Sequence, residues 1–126
     1  VFTFNNSVQS GSATMTGTGT AGTPTFSGNE MRVPLTGVTD IQNVTVTATN
    51  VMGTNGGVLA SAVLNVGFLI GDTTNDGSVN SADIGQTKSQ SGVPVTGTNF
   101  RQDVNNDGTI NSADIGLVKS KSGNGL

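Results

Sequence analysis

Residues 72–83 read DTTNDGSVNSAD, and residues 103–114 read DVNNDGTINSAD. Between 72–92 and 103–123, 14 of the 21 aligned positions are identical, in the frame DxxNDGxxNSADIGxxKSxSG. Self-similarity of this kind indicates a tandem duplication, in which each copy forms one structural unit. Six of the eight acidic residues of the chain lie in these two stretches, and all six are aspartates. The repeat therefore concentrates carboxylates at a fixed spacing.

Each stretch matches a twelve-residue calcium loop, in which positions 1, 3, 5, 7, 9 and 12 supply oxygen ligands and glycine at position 6 allows a sharp turn. Because converging carboxylates repel one another, either each loop stays open or a divalent cation occupies it. Calcium suits this mixed cage of carboxylate, amide and carbonyl oxygens better than magnesium, so two Ca²⁺ ions are predicted. The first loop supplies Asp72, Thr74, Asp76, Ser78 through its backbone carbonyl, Asn80 and Asp83. The second loop supplies Asp103, Asn105, Asp107, Thr109 through its backbone carbonyl, Asn111 and Asp114.

The two loops differ at position 3, where Thr74 corresponds to Asn105. A hydroxyl is a weaker calcium ligand than an amide carbonyl, so we expect the first loop to bind more weakly. Position 8 holds Val79 and Ile110, and at this position the two loops are predicted to pair through a short backbone bridge.

Composition excludes several other functions. The chain has no cysteine and no histidine, which excludes disulfides, thiolate metal sites and ordinary zinc chemistry. The net charge is −3 and the five basic residues are scattered, so nucleic acid is not expected as a partner. No apolar run approaches the length of a membrane span. Outside the repeat, Glu30 and Asp40 have no catalytic partner in view, so we predict no enzymatic activity in these residues.

Residues 1–70 have a different character, with short runs of alternating polarity that predict β-strands. In VTVTATNV at 44–51, the side chains of Val44, Val46 and Ala48 fall on one face of a sheet. The segments TFSGNEMRVPLTGVTDIQNVTVTATNV and NGGVLASAVLNVGF resemble the small immunoglobulin-like domains of bacterial secreted and surface proteins. This resemblance implies an all-β immunoglobulin-like sandwich over 1–70, and whether its first strand is missing stays open. The abrupt start VFTFNN favours a chain excised from a longer precursor.

Residues 71–123 resemble a type I dockerin, the duplicated calcium-loop-and-helix module of secreted polysaccharide-degrading systems. The resemblance rests on two DxxxDGxxNxxD loops, each followed by a short segment with lysine at loop position 17. It implies that 71–126 is a small all-α, duplicated EF-hand-like (F-hand) fold with a linking helix near 96–102. It also implies that either repeat can dock onto a cohesin domain. The residues carried over for this contact are Ser81, Ala82, Lys88, Ser89, Ser112, Ala113, Lys119 and Ser120.

Two functions of different kinds remain open. In the first, the chain is a secreted or cell-surface bacterial adaptor that attaches to a cohesin in polysaccharide degradation or surface assembly. In the second, residues 71–126 are a calcium-stabilised C-terminal cap that packs on the preceding module and has no cohesin partner. The short junction VGFLIGD and the glycine within each predicted helix favour the cap, whereas the motif favours the adaptor.

Overall fold

The computed structural model describes all 126 residues, Val1–Leu126. The chain divides into two compact units, Val1–Phe68 and Leu69–Leu126. The first unit contains every β-strand, and the second contains both α-helices.

The first unit has eight strands arranged in three antiparallel sheets, in the orders β1-β5-β4, β2-β7-β8 and β3-β6. The strands are β1 (Phe2–Thr3), β2 (Val8–Thr16), β3 (Thr20–Ala21), β4 (Thr25–Ser27), β5 (Glu30–Arg32), β6 (Leu35–Thr36), β7 (Gln42–Gly53) and β8 (Val58–Phe68).

The core of this unit follows the alternation along β7. Val44, Val46 and Ala48 are buried, while the threonines between them lie on the half-exposed face. The alternation is interrupted at Asn50, which has a left-handed backbone with φ of 51°, and Val51 is buried next to it. The apolar residues that complete the core are Phe2, Val8 and Met31.

The second unit is built mainly from loops. Its helices are α1 (Ser81–Ser89) and α2 (Ser112–Lys121), with a short 3₁₀ helix at Phe100–Gln102. The linking helix predicted at 96–102 is reduced to this single turn. Asn99 Oδ1 accepts hydrogen bonds from the backbone N–H of Thr96 at 2.6 Å and from its hydroxyl at 3.0 Å. These bonds fold the segment into a turn and compete with the backbone pattern of a helix.

The predicted fold class, an immunoglobulin-like sandwich followed by a separate all-α module, is wrong. The structure is a mostly β chain with two helices, of nine and ten residues. Three of the strands are only two residues long, and the strands form three small sheets. Glycine, asparagine and the two aspartate-rich loops occupy most of 69–126, and these residues favour turns over continued helix. An all-α domain therefore does not form.

A strained residue in the first unit carries a stability prediction. Ile41 has φ of 60°, which crowds a β-branched side chain, and it is half exposed, so little packing would be lost on replacement. We expect Ile41→Asn to raise the unfolding free energy by about 1 kcal/mol, because asparagine tolerates this conformation. Thermal unfolding of the β-sheet signal measures the change. Ile41→Val is the matched control, since it keeps the β-branch and should give no gain; an equal gain in both variants would refute the strain argument.

Candidate metal centre

The first carboxylate of each loop is held by the backbone of its own turn. Asp72 accepts the N–H of Asp76 at 3.1 Å and the N–H of Gly77 at 2.9 Å. The turn requires positive φ at Gly77, which has 83°, and glycine adopts this conformation without steric cost. The chain therefore wraps around the carboxylate of Asp72 over five residues.

The last carboxylate of the first loop connects the start of the loop to the start of α1. Asp83 is fully buried. Its Oδ1 accepts the backbone N–H of Thr73 at 2.9 Å, and the N–H and hydroxyl of Thr74 at 3.0 and 2.9 Å. Its Oδ2 accepts the backbone N–H of Asn80 at 2.8 Å. One buried side chain thus fixes positions 2, 3 and 9 of the loop together.

These contacts also set the charge of Asp83. Burial opposes ionisation, but hydrogen bonds from Asn80 and Thr74, and a further one from Thr73, outweigh it and lower the pKa of Asp83 below its ordinary value of 3.8. A lowered folded-state pKa means that the ionised group adds stability above its ordinary pKa. This stability is lost as the pH falls through the folded-state value.

The helix starts are capped in the same way in both repeats. Asn80 caps α1 by accepting the N–H of Ala82 at 2.8 Å, while Asp83 accepts the N–H of Asn80 in return. This reciprocal arrangement is a capping box with aspartate in place of the usual glutamate. Asn111 and Asp114 repeat it at α2. The predicted ligands at positions 9 and 12 are therefore positioned by a helix N-terminus.

The second loop reproduces the first. Asp103 accepts the N–H of Asp107 at 3.1 Å and of Gly108 at 2.9 Å. Asp114 is fully buried and accepts the N–H of Asn105 at 3.2 Å and of Asn111 at 2.9 Å. The two loops therefore share the bonds from positions 5 and 6 to the first aspartate and from positions 3 and 9 to the last.

Position 3 is where the loops differ. The hydroxyl of Thr74 donates to Asp83, whereas the amide of Asn105 donates to Asp107 at 2.8 Å and accepts the N–H of Asp107 at 3.0 Å. The hydroxyl of Thr109, the amide of Asn105 and the N–H of Thr109 together lower the pKa of Asp107. The carboxylate at position 5 is thus more fully supported in the second loop.

Within each loop, backbone N–H groups link position 5 to the carboxylate at position 1, and positions 3 and 9 to the carboxylate at position 12. Ser78 and Thr109, at position 7, donate their N–H groups to Asp76 and Asp107, each at 2.9 Å. No group of three or more acidic side chains forms a ready metal cluster. The donor sets nevertheless fit calcium, because all donors are hard oxygens and 69–126 contains six aspartates against four basic side chains.

The eight residues assigned to partner contact lie at both ends of the two helices, and all are exposed. In each repeat, a Ser-Ala pair lies in the first helical turn and a Lys-Ser pair in the last. They therefore form two equivalent small and polar surfaces.

Sequence reasoning missed Thr73 and Thr87, which are buried around Asp83. The hydroxyl of Thr87 donates to the Asp83 carbonyl at 2.8 Å. A threonine one turn beyond a buried capping residue is the sequence signal that was available. The predicted bridge between the two loops was also wrong: Val79 donates its N–H to Asn124 and accepts the N–H of Gly123, each at 2.8 Å.

Residues 70–121 match the family model of the dockerin type I domain. The match supports a dockerin module over this segment and does not extend to the preceding β-strand unit, for which an immunoglobulin-like domain is not shown. No curated protein and no solved structure matched the chain.

Dockerins in general bind calcium, dock non-catalytically onto cohesins and occur in extracellular or cell-surface proteins. The dockerin match therefore supports a protein-protein docking module. In the structure, no helix is both long and apolar enough to cross a membrane.

Proposed function

We propose that residues 69–126 form a dockerin module that binds two calcium ions and attaches the chain to a cohesin. The observation that carries this proposal is the repeated arrangement in which a buried aspartate, Asp83 or Asp114, anchors a loop of oxygen donors to a capped helix. The ligands we assign are Asp72, Thr74, Asp76, Ser78, Asn80 and Asp83 in the first loop, and Asp103, Asn105, Asp107, Thr109, Asn111 and Asp114 in the second.

Calcium supplies the positive charge that these loops lack. The carboxylates at positions 1, 5 and 12 hold the ion, and the backbone N–H groups that already bind them fix their orientation. An ion that binds only the folded loop stabilises the helix that follows it. The partner surface at the two ends of that helix is therefore expected to depend on calcium.

We infer a secreted or surface protein, because millimolar extracellular calcium keeps even modest sites filled. The assignment to bacterial polysaccharide degradation rests on the resemblance to dockerins.

Cohesin contact is assigned to the exposed helix ends, at Ser81, Ala82, Lys88 and Ser89 and at Ser112, Ala113, Lys119 and Ser120. Because the two sets have the same sequence and the same placement, each should bind alone. We expect Lys88→Ala and Lys119→Ala each to retain cohesin binding, and the double variant to weaken it about tenfold or more.

Titration calorimetry against a panel of cohesins, with and without EGTA, tests this. Arg32→Ala is the control, since it removes an exposed cation from the first unit. Absence of calcium-dependent binding to every cohesin would reject the docking function.

A calcium-stabilised structural module without a cohesin partner is the second candidate. The observation that favours it is the chemistry of the proposed contact surface, whose eight residues are serine, alanine and lysine. Such a surface lacks the buried aromatic or arginine anchors that supply most of the energy in many interfaces. Calcium binding and calcium-dependent stability without any cohesin binding would support this candidate.

The two calcium sites are expected to differ in affinity. We expect Thr74→Asn to tighten the first site several-fold and Asn105→Thr to weaken the second by a similar factor, because an amide oxygen is a better ligand than a hydroxyl. The amides of Gly77 and Gly108 each donate to the first carboxylate of their own loop, so their NMR signals report the two sites separately. If the first site of the unmodified chain fills at lower calcium than the second, this ranking is wrong.

A further inference from the structure

The last four residues of the chain pair with the first loop, although they follow the helix of the second repeat. Gly123 donates its N–H to the carbonyl of Val79 at 2.8 Å, and Val79 donates its N–H to the carbonyl of Asn124 at 2.8 Å. Leu126 donates its N–H to the carbonyl of Gly77 at 3.0 Å. The tail of repeat two thus holds the backbone of repeat one.

The segment that follows α1 makes the corresponding contact with the second loop. Gly92 donates its N–H to the carbonyl of Ile110 at 2.8 Å, and Pro94 pairs with Thr109 in an antiparallel bridge. Shifting these positions by 31 residues gives Gly123 and the partners just described. The exchange is therefore reciprocal: each tail binds the loop of the opposite repeat.

This pairing orients the backbone carbonyl at loop position 7. Ser78 and Gly125 form an antiparallel bridge in which the hydrogen bonds belong to their neighbours on either side. In such a pair, the N–H and C=O of the central residues point away from the partner strand. The carbonyl of Ser78 therefore faces away from the tail, and the N–H of Ser78 donates to Asp76 inside the loop.

One end of each pairing meets a buried loop residue, whereas the bridge residues Ser78 and Gly125 are exposed. Val79 and Ile110, which receive the two tails, are 1% and 2% exposed. Removing residues 123–126 takes away the partners of both the N–H and the carbonyl of Val79, and each backbone bond lost in this way lowers stability.

We propose that each tail contributes to the calcium site of the opposite repeat, because it fixes the orientation of the position-7 carbonyl that completes that site. Residues 123–126 belong to the first site, and residues 92–94 belong to the second. This inference rests on the proposed calcium function and adds that the two sites are coupled across the repeats.

The test is a chain that ends at Ser122, compared with the full chain by NMR during calcium titration. The calcium midpoint reported by Gly77 should rise about tenfold or more, since three backbone hydrogen bonds are lost. The midpoint reported by Gly108 should change much less. A tail that acted only on its own repeat would give the opposite pattern, because it follows α2 directly.

A second variant lacks only Leu126, and it tests the assignment of residues 123–126 to the first loop if the longer truncation does not fold. It removes the bond to Gly77 and keeps both bonds to Val79, so a smaller shift confined to Gly77 is expected. A shift confined to Gly108, or an equal shift at both amides, would overturn the crossed assignment. If neither amide of the full chain responds to calcium, the proposed function itself fails, and this outcome is distinct from the others.

Discussion

Removal of calcium with EGTA is expected to unfold residues 69–126 while the unit Val1–Phe68 stays folded. The buried apolar residues of the second unit are Val79, Ile110 and Val118. Its buried polar residues are more numerous: Thr73, Asp83, Thr87, Asn99, Gln102 and Asp114. A core of this composition releases too little free energy to offset the loss of chain entropy in a unit of this size.

Under the proposed function, calcium supplies the difference, because it binds only the folded loops. Calcium present at a thousand times the dissociation constant of a site adds about 4 kcal/mol to the unfolding free energy. With two such sites, the ions contribute as much as the whole stability of many small domains. The first unit has its own apolar core along β7 and needs no ion.

Circular dichroism near the helical minimum and NMR measure this result together. EGTA should abolish the helical signal and the folded amide signals of Gly77 and Gly108, while signals from β7, such as Val46, persist. Added calcium should restore both loops. Helices that survive in EGTA would show that the second unit folds without metal.

The second large effect is expected at Asp83. Asp83→Ala removes the acceptor for the backbone N–H groups of Thr73, Thr74 and Asn80. It also removes one of the proposed calcium ligands. Leaving buried donors unpaired costs about 1–3 kcal/mol for each group. We expect a loss of about 3–5 kcal/mol in the unfolding free energy of the second unit, as for breaking a buried ion pair, and no recovery at high calcium.

Asp76→Asn is the matched comparison. Asp76 is exposed and accepts the N–H of Ser78, so its replacement removes a ligand charge without disturbing the buried network. Its defect should be overcome by raising calcium. Chemical unfolding at increasing calcium separates the two cases. If Asp83→Ala recovers with calcium as fully as Asp76→Asn does, the buried carboxylate is a ligand alone and does not also anchor the loop.

The sequence predicted the features that depend on local spacing. The alternation of Val44, Val46 and Ala48 predicted that their side chains share one face of a strand, and the structure confirms it, with all three buried along β7. The duplicated loops predicted a dockerin-like segment, and the family match over 70–121 supports that segment. In each case, a short repeating pattern determines side-chain placement without help from distant residues.

Features that depend on contacts distant in sequence were not predicted. The tail that holds Val79 has the sequence SGNGL, which gives no sign that its backbone pairs with a loop more than 40 residues earlier. The division of the strands into three sheets depends on pairing between residues distant in sequence. The fold class was wrong for this reason. The short 3₁₀ turn was missed for a different reason, because local side-chain hydrogen bonds compete there with helix propensity.

If each loop of the second unit holds one calcium ion, anomalous diffraction from crystals grown in calcium will show where the ions lie. We expect two anomalous peaks, one within bonding distance of Asp72, Asp76 and Asp83, and one within bonding distance of Asp103, Asp107 and Asp114. A map without a peak at either position would show that the loops do not bind calcium.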